Sequence, residues 1–170
     1  MKTSFFVAGA VAAAVSGFGS GCAESKGDGV IDTTFDACQP LLLDAQDGSA
    51  EEKLSIAEAA QLWNDIAGTQ VTVDPAAFVG DAVVPVFFDK AGAAYHGQYD
   101  DTEGVIYVND DIDSDHARAV TLAHEVGHAF GLFHVDVDDD VSVMNNGNLV
   151  TEPNGFDVDN VHKLWGVCAP

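Results

Sequence analysis

Hydrophobic spacing divides the chain into an apolar leader, a polar stretch and a mixed run of helices and strands. After Met1-Lys2 an apolar run extends from Phe5 to Val15 and gives way to small residues up to Gly21. Residues 23 to 34, with Ser, Gly, Asp and Lys, read as a tether. Ile56, Ala59, Ala60, Trp63, Ile66 and Ala67 then recur at helical spacing. Ser55-Ile56-Ala57-Glu58 reads as a capping box opening that helix, and Gly68 closes it. Val71-Thr72-Val73 is a short predicted strand ended by Asp74-Pro75. Ala82 to Phe88 is apolar and β-branched or aromatic, which predicts a second strand, and Pro85 within it points to an edge or a bulge. Ala93 to Tyr99 is a weaker strand pattern, and Gly104-Val105-Ile106-Tyr107-Val108 is a clear one. Asp113 and Ser114 are N-cap candidates for a helix running through Ala117, Val120 and Thr121 to about Phe130. Asp157 to Trp165 predicts a last helix, apolar at Val158, Val161, Leu164 and Trp165 and stopped by Gly166.

The helix ending near Phe130 carries the chemistry. Its last turns and the residues beyond read His124-Glu125-Val126-Gly127-His128-Ala129-Phe130-Gly131-Leu132-Phe133-His134. Positions i and i+4 share a helix face, so His124 and His128 can point at one metal ion. Glu125 lies one residue on, near enough to hold a water at that ion. Gly131 can adopt the left-handed conformation that ends a helix, which lets the chain turn back with His134 as a third ligand. Three protein ligands and an open fourth position describe a catalytic zinc site; a structural site takes four.

Charge and cysteine usage narrow the setting. The chain has 170 residues and a formal charge of −22, which loss of Lys2 with a leader would take to −23. Such acidity excludes nucleic acid as a partner, because nothing here neutralises phosphates. The leader has the positive start, short apolar core and small-residue exit of a secretory signal over residues 1–21. Gly19-Ser20-Gly21-Cys22 resembles a bacterial lipobox, although Gly19 stands where Leu is usual. Cys22 would then be the lipidated mature N-terminus; ordinary signal-peptidase cleavage after Gly21 is the alternative. Either way an exported protein is expected, touching a membrane only through that lipid. Three cysteines are present, and with Cys22 lipidated, Cys38 and Cys168 are left to form a disulfide.

The eleven-residue motif resembles the signature of the metzincin clan of zinc endopeptidases, in which a methionine-bearing turn follows. Ser142-Val143-Met144-Asn145 is the candidate turn, with Met144 as the hydrophobic floor beneath the zinc. The element order is similar to that of the compact, matrixin-like members over about residues 50 to 167. The resemblance implies an α+β fold, in which a twisted mixed sheet and the active-site helix lie above a Met-turn and a C-terminal helix. It places the catalytic domain at 50–170, after a tether and N-terminal segment at 22–49. It further implies a monomeric zinc endopeptidase acting on peptide or protein substrates. In that chemistry Zn2+ at His124, His128 and His134 lowers the pKa of a water toward about 7, and Glu125 serves as general base. An extended substrate would pair with the edge strand, here Ala93 to Tyr99, and the loop from Asn146 to Phe156 would shape specificity.

Departures from the family patterns matter. Val135 follows His134 where matrixins carry Ser, adamalysins Asp and astacins Glu, so no subfamily is assigned. Asn146 stands where astacins and serralysins place a zinc-binding Tyr. Asp36-Ala37-Cys38-Gln39-Pro40 does not match the prodomain cysteine pattern that caps zinc in some members. Asp136, Asp138, Asp139 and Asp140 partly mimic a calcium loop but lack its Gly and closing Glu, so Ca2+ is a second candidate cofactor beside a merely solvated acidic loop. His96 could belong to a second, structural zinc, as in some matrixins, although a lone His on a loop or strand more often carries no metal; His116 and His162 fall outside the motif and are read as surface residues. The rival from another class is an inactive metzincin scaffold serving as a surface binding protein. The intact Glu125 argues against it, since binding alone needs no base beside the ion.

Overall fold

The computed structural model describes residues 30–45, 47–92 and 94–168. The leader, Cys22 and most of the expected tether lie outside these residues. Five strands form one mixed sheet: β1 (Pro40–Asp44), β2 (Gln70–Thr72), β3 (Ala82–Asp89), β4 (Gly97–Asp100) and β5 (Val105–Asn109). Three helices complete the fold: α1 (Ala50–Ala67), α2 (Asp115–Ala129) and α3 (Gly155–Trp165). The sheet order is β2-β1-β3-β5-β4, and only β4 runs antiparallel to its neighbour. Among the described residues no helix is long and apolar enough to cross a membrane.

Helix α1 begins six residues before the expected start. Ser49, not Ser55, is the N-cap: its side chain accepts from Glu52 N, and the Glu52 carboxylate accepts from Ser49 N. Two Ser-x-x-Glu patterns, at 49–52 and 55–58, compete, and the earlier one forms the cap. Ser55 is instead buried, its hydroxyl on the carbonyls of Glu51 and Asp115. Gly68 closes the helix as expected, at φ 67°.

Strand β1 was not legible. Leu41, Leu42 and Leu43 are all buried, because the strand lies between β2 and β3 and is covered on both faces. A strand buried on both faces reads as a continuous apolar run without alternation. The packed domain therefore takes in residues well before 50, with Ile31 and Ala37 also in the core.

Pro85 overturns the edge expectation, for β3 is the central strand. Residues 82–85 of β3 pair with β1, ending at Asp44↔Pro85, and residues 86–89 pair with β5, starting at Val86↔Ile106. The missing N–H falls where the strand exchanges one partner for the other, so little ladder is lost. The predicted 93–99 strand is confined to Gly97–Asp100, and it does form an edge.

Helices α1 and α2 lie against each other over the inner face of the sheet. Trp63 of α1 is fully buried; its indole N–H donates to Ala123 O of α2 at 2.8 Å, and its ring meets Phe130 edge-on at 5.5 Å. A buried indole with its donor satisfied fixes the two helices in register as well as in distance. The chain ends are joined by a Cys38–Cys168 disulfide, as the cysteine count led one to expect.

Candidate metal centre

The end of α2 is built to turn sharply. The N–H of Leu132 bonds to Gly127 O at 2.9 Å and that of Gly131 to His128 O at 2.8 Å, the paired bonds of a Schellman closure. Gly131 sits at φ 90°, which a side chain would strain. The next two carbonyls are taken by distant residues. Ala129 O accepts from Phe35 N at 2.8 Å, and Phe130 O accepts from the Trp165 indole at 2.7 Å. The N-terminal segment and α3 thus share in ending the helix that carries the motif.

This turn brings His134 back to His124 and His128. The Nε2 atom of His134 lies 3.1 Å from that of His124 and 3.1 Å from that of His128. Among the described residues this is the only group of three or more His, Cys, Asp or Glu side chains disposed to hold a metal ion. On the far side of each ring, His124 Nδ1 donates to Val143 O at 2.7 Å and His128 Nδ1 to Leu132 O at 2.8 Å. A carbonyl only accepts, so the proton is on Nδ1 and the Nε2 lone pair faces inward. Burial lowers the pKa of His124 to about 4, overcoming the opposing pull of its bond to Val143. Burial first, then the neighbouring His124 and His134, lowers that of His128 to about 3. Both rings are therefore neutral at ordinary pH, the form in which an imidazole can bind a metal. The Nε2 lone pairs of His124 and His128 thus converge on His134 Nε2, an arrangement that can share one cation. A tetrahedral zinc ion with bonds of about 2.0–2.1 Å separates its nitrogens by about 3.3 Å, so the residues fit the ion.

Met144 is fully buried, and its Sδ rests directly on the α2 backbone at Gly127, where any Cβ would overlap it. The turn around it is locked to the third ligand: Val135 N donates to Met144 O at 3.0 Å, and the Asn145 amide donates to Val135 O at 3.0 Å. Val135, which left the subfamily open, thus pairs through its backbone with the methionine turn. A cavity of about 300 Å³ opens beside His134 and Met144, bounded by Leu132, Lys163 and Leu164.

Asp157 had been read only as the start of the last helix, and it proves to be a fully buried carboxylate. It accepts from the Ser142 hydroxyl, from Val143 N at 3.1 Å and from Asn154 N at 2.9 Å. Its Asn154-x-x-Asp157 pattern is a capping box for α3, a signal open to sequence reading. The link runs from α3 through Asp157 to Val143, and from Val143 O to His124.

Glu125 is fully buried on α2, directly after His124 and against the edge strand. The other residues singled out lie apart. His96 belongs to no metal-holding group; its carbonyl accepts from Asn109 N. His116 is exposed, as expected of a surface residue, and its ring lies 2.7 Å from Glu58 and 3.6 Å from Glu152. Asp136 caps its own turn, accepting from Asp138 N at 3.0 Å. His162 is half-buried on α3.

With this geometry, residues 37–135 match the family described as metallo-peptidase family M12B, reprolysin-like, and the chain belongs to that family. Its fold is shared with a crystal structure of myroilysin: TM-score 0.56 at 15% identity, covering 89% of this chain and 93% of that one. A second myroilysin structure matches with the same score and identity over 85% and 90%. A search by sequence among characterised proteins gave no match. The family is not that of the matrixins, toward which the order of elements pointed. Element order reports the common fold and does not separate families within it.

Proposed function

We propose that the chain is an exported zinc-dependent endopeptidase. The observation that carries this reading is the convergence of three imidazoles, two of them buried and neutral, beside a buried glutamate. His124, His128 and His134 would hold the ion. When bound, zinc supplies Lewis acidity, lowering the pKa of water and polarising a carbonyl. Glu125 accepts the proton of the attacking water and passes it to the leaving amine nitrogen. The substrate backbone lies extended along β4, whose outer edge has no neighbouring strand in the sheet. Met144 and the carbonyls of Val143 and Leu132 fix the imidazoles so that the ligands need not reorganise during turnover.

Export is supported by the leader-like residues 1–21 and by a disulfide, which persists in oxidising compartments. Cys22 is the proposed lipid-bearing N-terminus, supported by Gly19-Ser20-Gly21-Cys22. The test is cleavage of a mixed peptide library by purified protein lacking residues 1–22, with chelator and with zinc restored. Cleavage lost to chelator and regained with zinc is expected. A zinc-loaded protein that cleaves nothing would leave the binding-scaffold alternative standing.

A further inference from the structure

Gly97, the first residue of the edge strand, lies directly over Glu125. A Cβ at this position would stand 2.5 Å from Glu125 Oε1 and 2.9 Å from Glu125 Cγ. It would also stand 2.7 Å from Thr121 Cγ2. Thr121 is one helical turn before Glu125 on the same face. Its hydroxyl donates to Ala117 O at 2.9 Å, which turns the methyl toward the strand. The strand itself is tied to β5 by the Gly97↔Val108 and Tyr99↔Ile106 pairs. Tyr99 further donates its hydroxyl to Thr33 O at 2.8 Å. A methyl at 97 would therefore press on the Thr121 methyl and on the Glu125 side chain, and the carboxylate could not stay where it stands.

We propose that Gly97 is a positioning residue for Glu125, its bare backbone forming the wall that sets where the carboxylate stands. This rests on the peptidase reading and deepens it. The overlap with Thr121 is separate and is removed by Thr121→Ser, which keeps the hydroxyl bond to Ala117 O. A displacement of the carboxylate by about 1 Å costs catalysis on the order of 100-fold, because the base must meet the attacking water at hydrogen-bond distance.

The test uses a Thr121→Ser background, which lacks the threonine methyl, and compares zinc-loaded T121S with the double variant T121S/G97A, measuring kcat, KM, zinc content and melting temperature. The expected result for the double variant is a kcat lowered by about 100-fold relative to T121S, with KM within about threefold and full zinc content. A kcat within about threefold of T121S would overturn the proposal, as would a loss that tracks lost zinc or lost folding. An active T121S with an equally active double variant refutes this inference alone. An inactive zinc-loaded wild type refutes it together with the peptidase reading.

Discussion

Replacing Asp157 by Ala should loosen the metal centre from a distance. The carboxylate is fully buried and holds three donors: the Ser142 hydroxyl, Val143 N and Asn154 N. The first two bonds are buried, so each donor left behind costs about 1–3 kcal/mol; the third is half-exposed and can turn to water. A destabilisation of about 4 kcal/mol follows, large against a total stability of about 5–15 kcal/mol. An unfolding entropy of about 2.1 cal/mol/K per residue gives about 0.3 kcal/mol/K for a domain of this size, so the melting temperature should fall by about 13 °C. Zinc affinity should fall as well, since Val143 supplies both the N–H that Asp157 holds and the carbonyl that orients His124. Loss of such an outer partner typically costs about 10–100-fold in metal affinity. Calorimetry of the metal-free protein and a competitive zinc titration read the two effects. A melting shift under about 3 °C with unchanged zinc affinity would refute the linkage from α3 to the ligand.

Three other outcomes are expected. Metal-free protein should lose stability as pH falls from 6.5 toward 4, because the unfolded chain protonates at 6.5 while burial keeps His124 and His128 neutral to about 4 and about 3. The slope is at most about 1.4 kcal/mol per pH unit for each histidine; urea unfolding at pH 7.5 and 5.0 reads it, and a His124→Gln, His128→Gln control should lack it. Opening the Cys38–Cys168 bridge, which spans 130 residues, should cost up to about 5 kcal/mol by chain entropy, and equal urea midpoints with and without reductant would contradict this. Gly127→Ala should overpack Met144 by about 1–3 kcal/mol, against about 1 kcal/mol of helix propensity gained, so its melting temperature should fall, and a rise would contradict the contact.

The metal centre was far more legible than the frame around it. The histidine spacing, Gly131 and Met144 follow from helical periodicity and a forced turn, which are local and leave a local trace. Strand β1 left none, because burial on both faces erases alternation. Pro85 misled because its cost depends on which neighbour each half of the strand pairs with, a fact of topology. The start of α1 turned on two Ser-x-x-Glu patterns six residues apart, and Ser55 of the second is buried inside the helix against Asp115 O. Gly97 and Asp157 were overlooked for a shared reason. Their importance lies in contacts with Glu125, 28 positions away, and with Ser142, 15 away. Neither contact has a period or a motif.

The most direct test of the central claim is peptide cleavage by Glu125→Ala beside wild type, with zinc content measured in the same samples. The variant should bind one zinc ion at His124, His128 and His134, as wild type does, and should lose essentially all proteolysis. Turnover in the variant comparable to wild type would contradict the claim that Glu125 is the base.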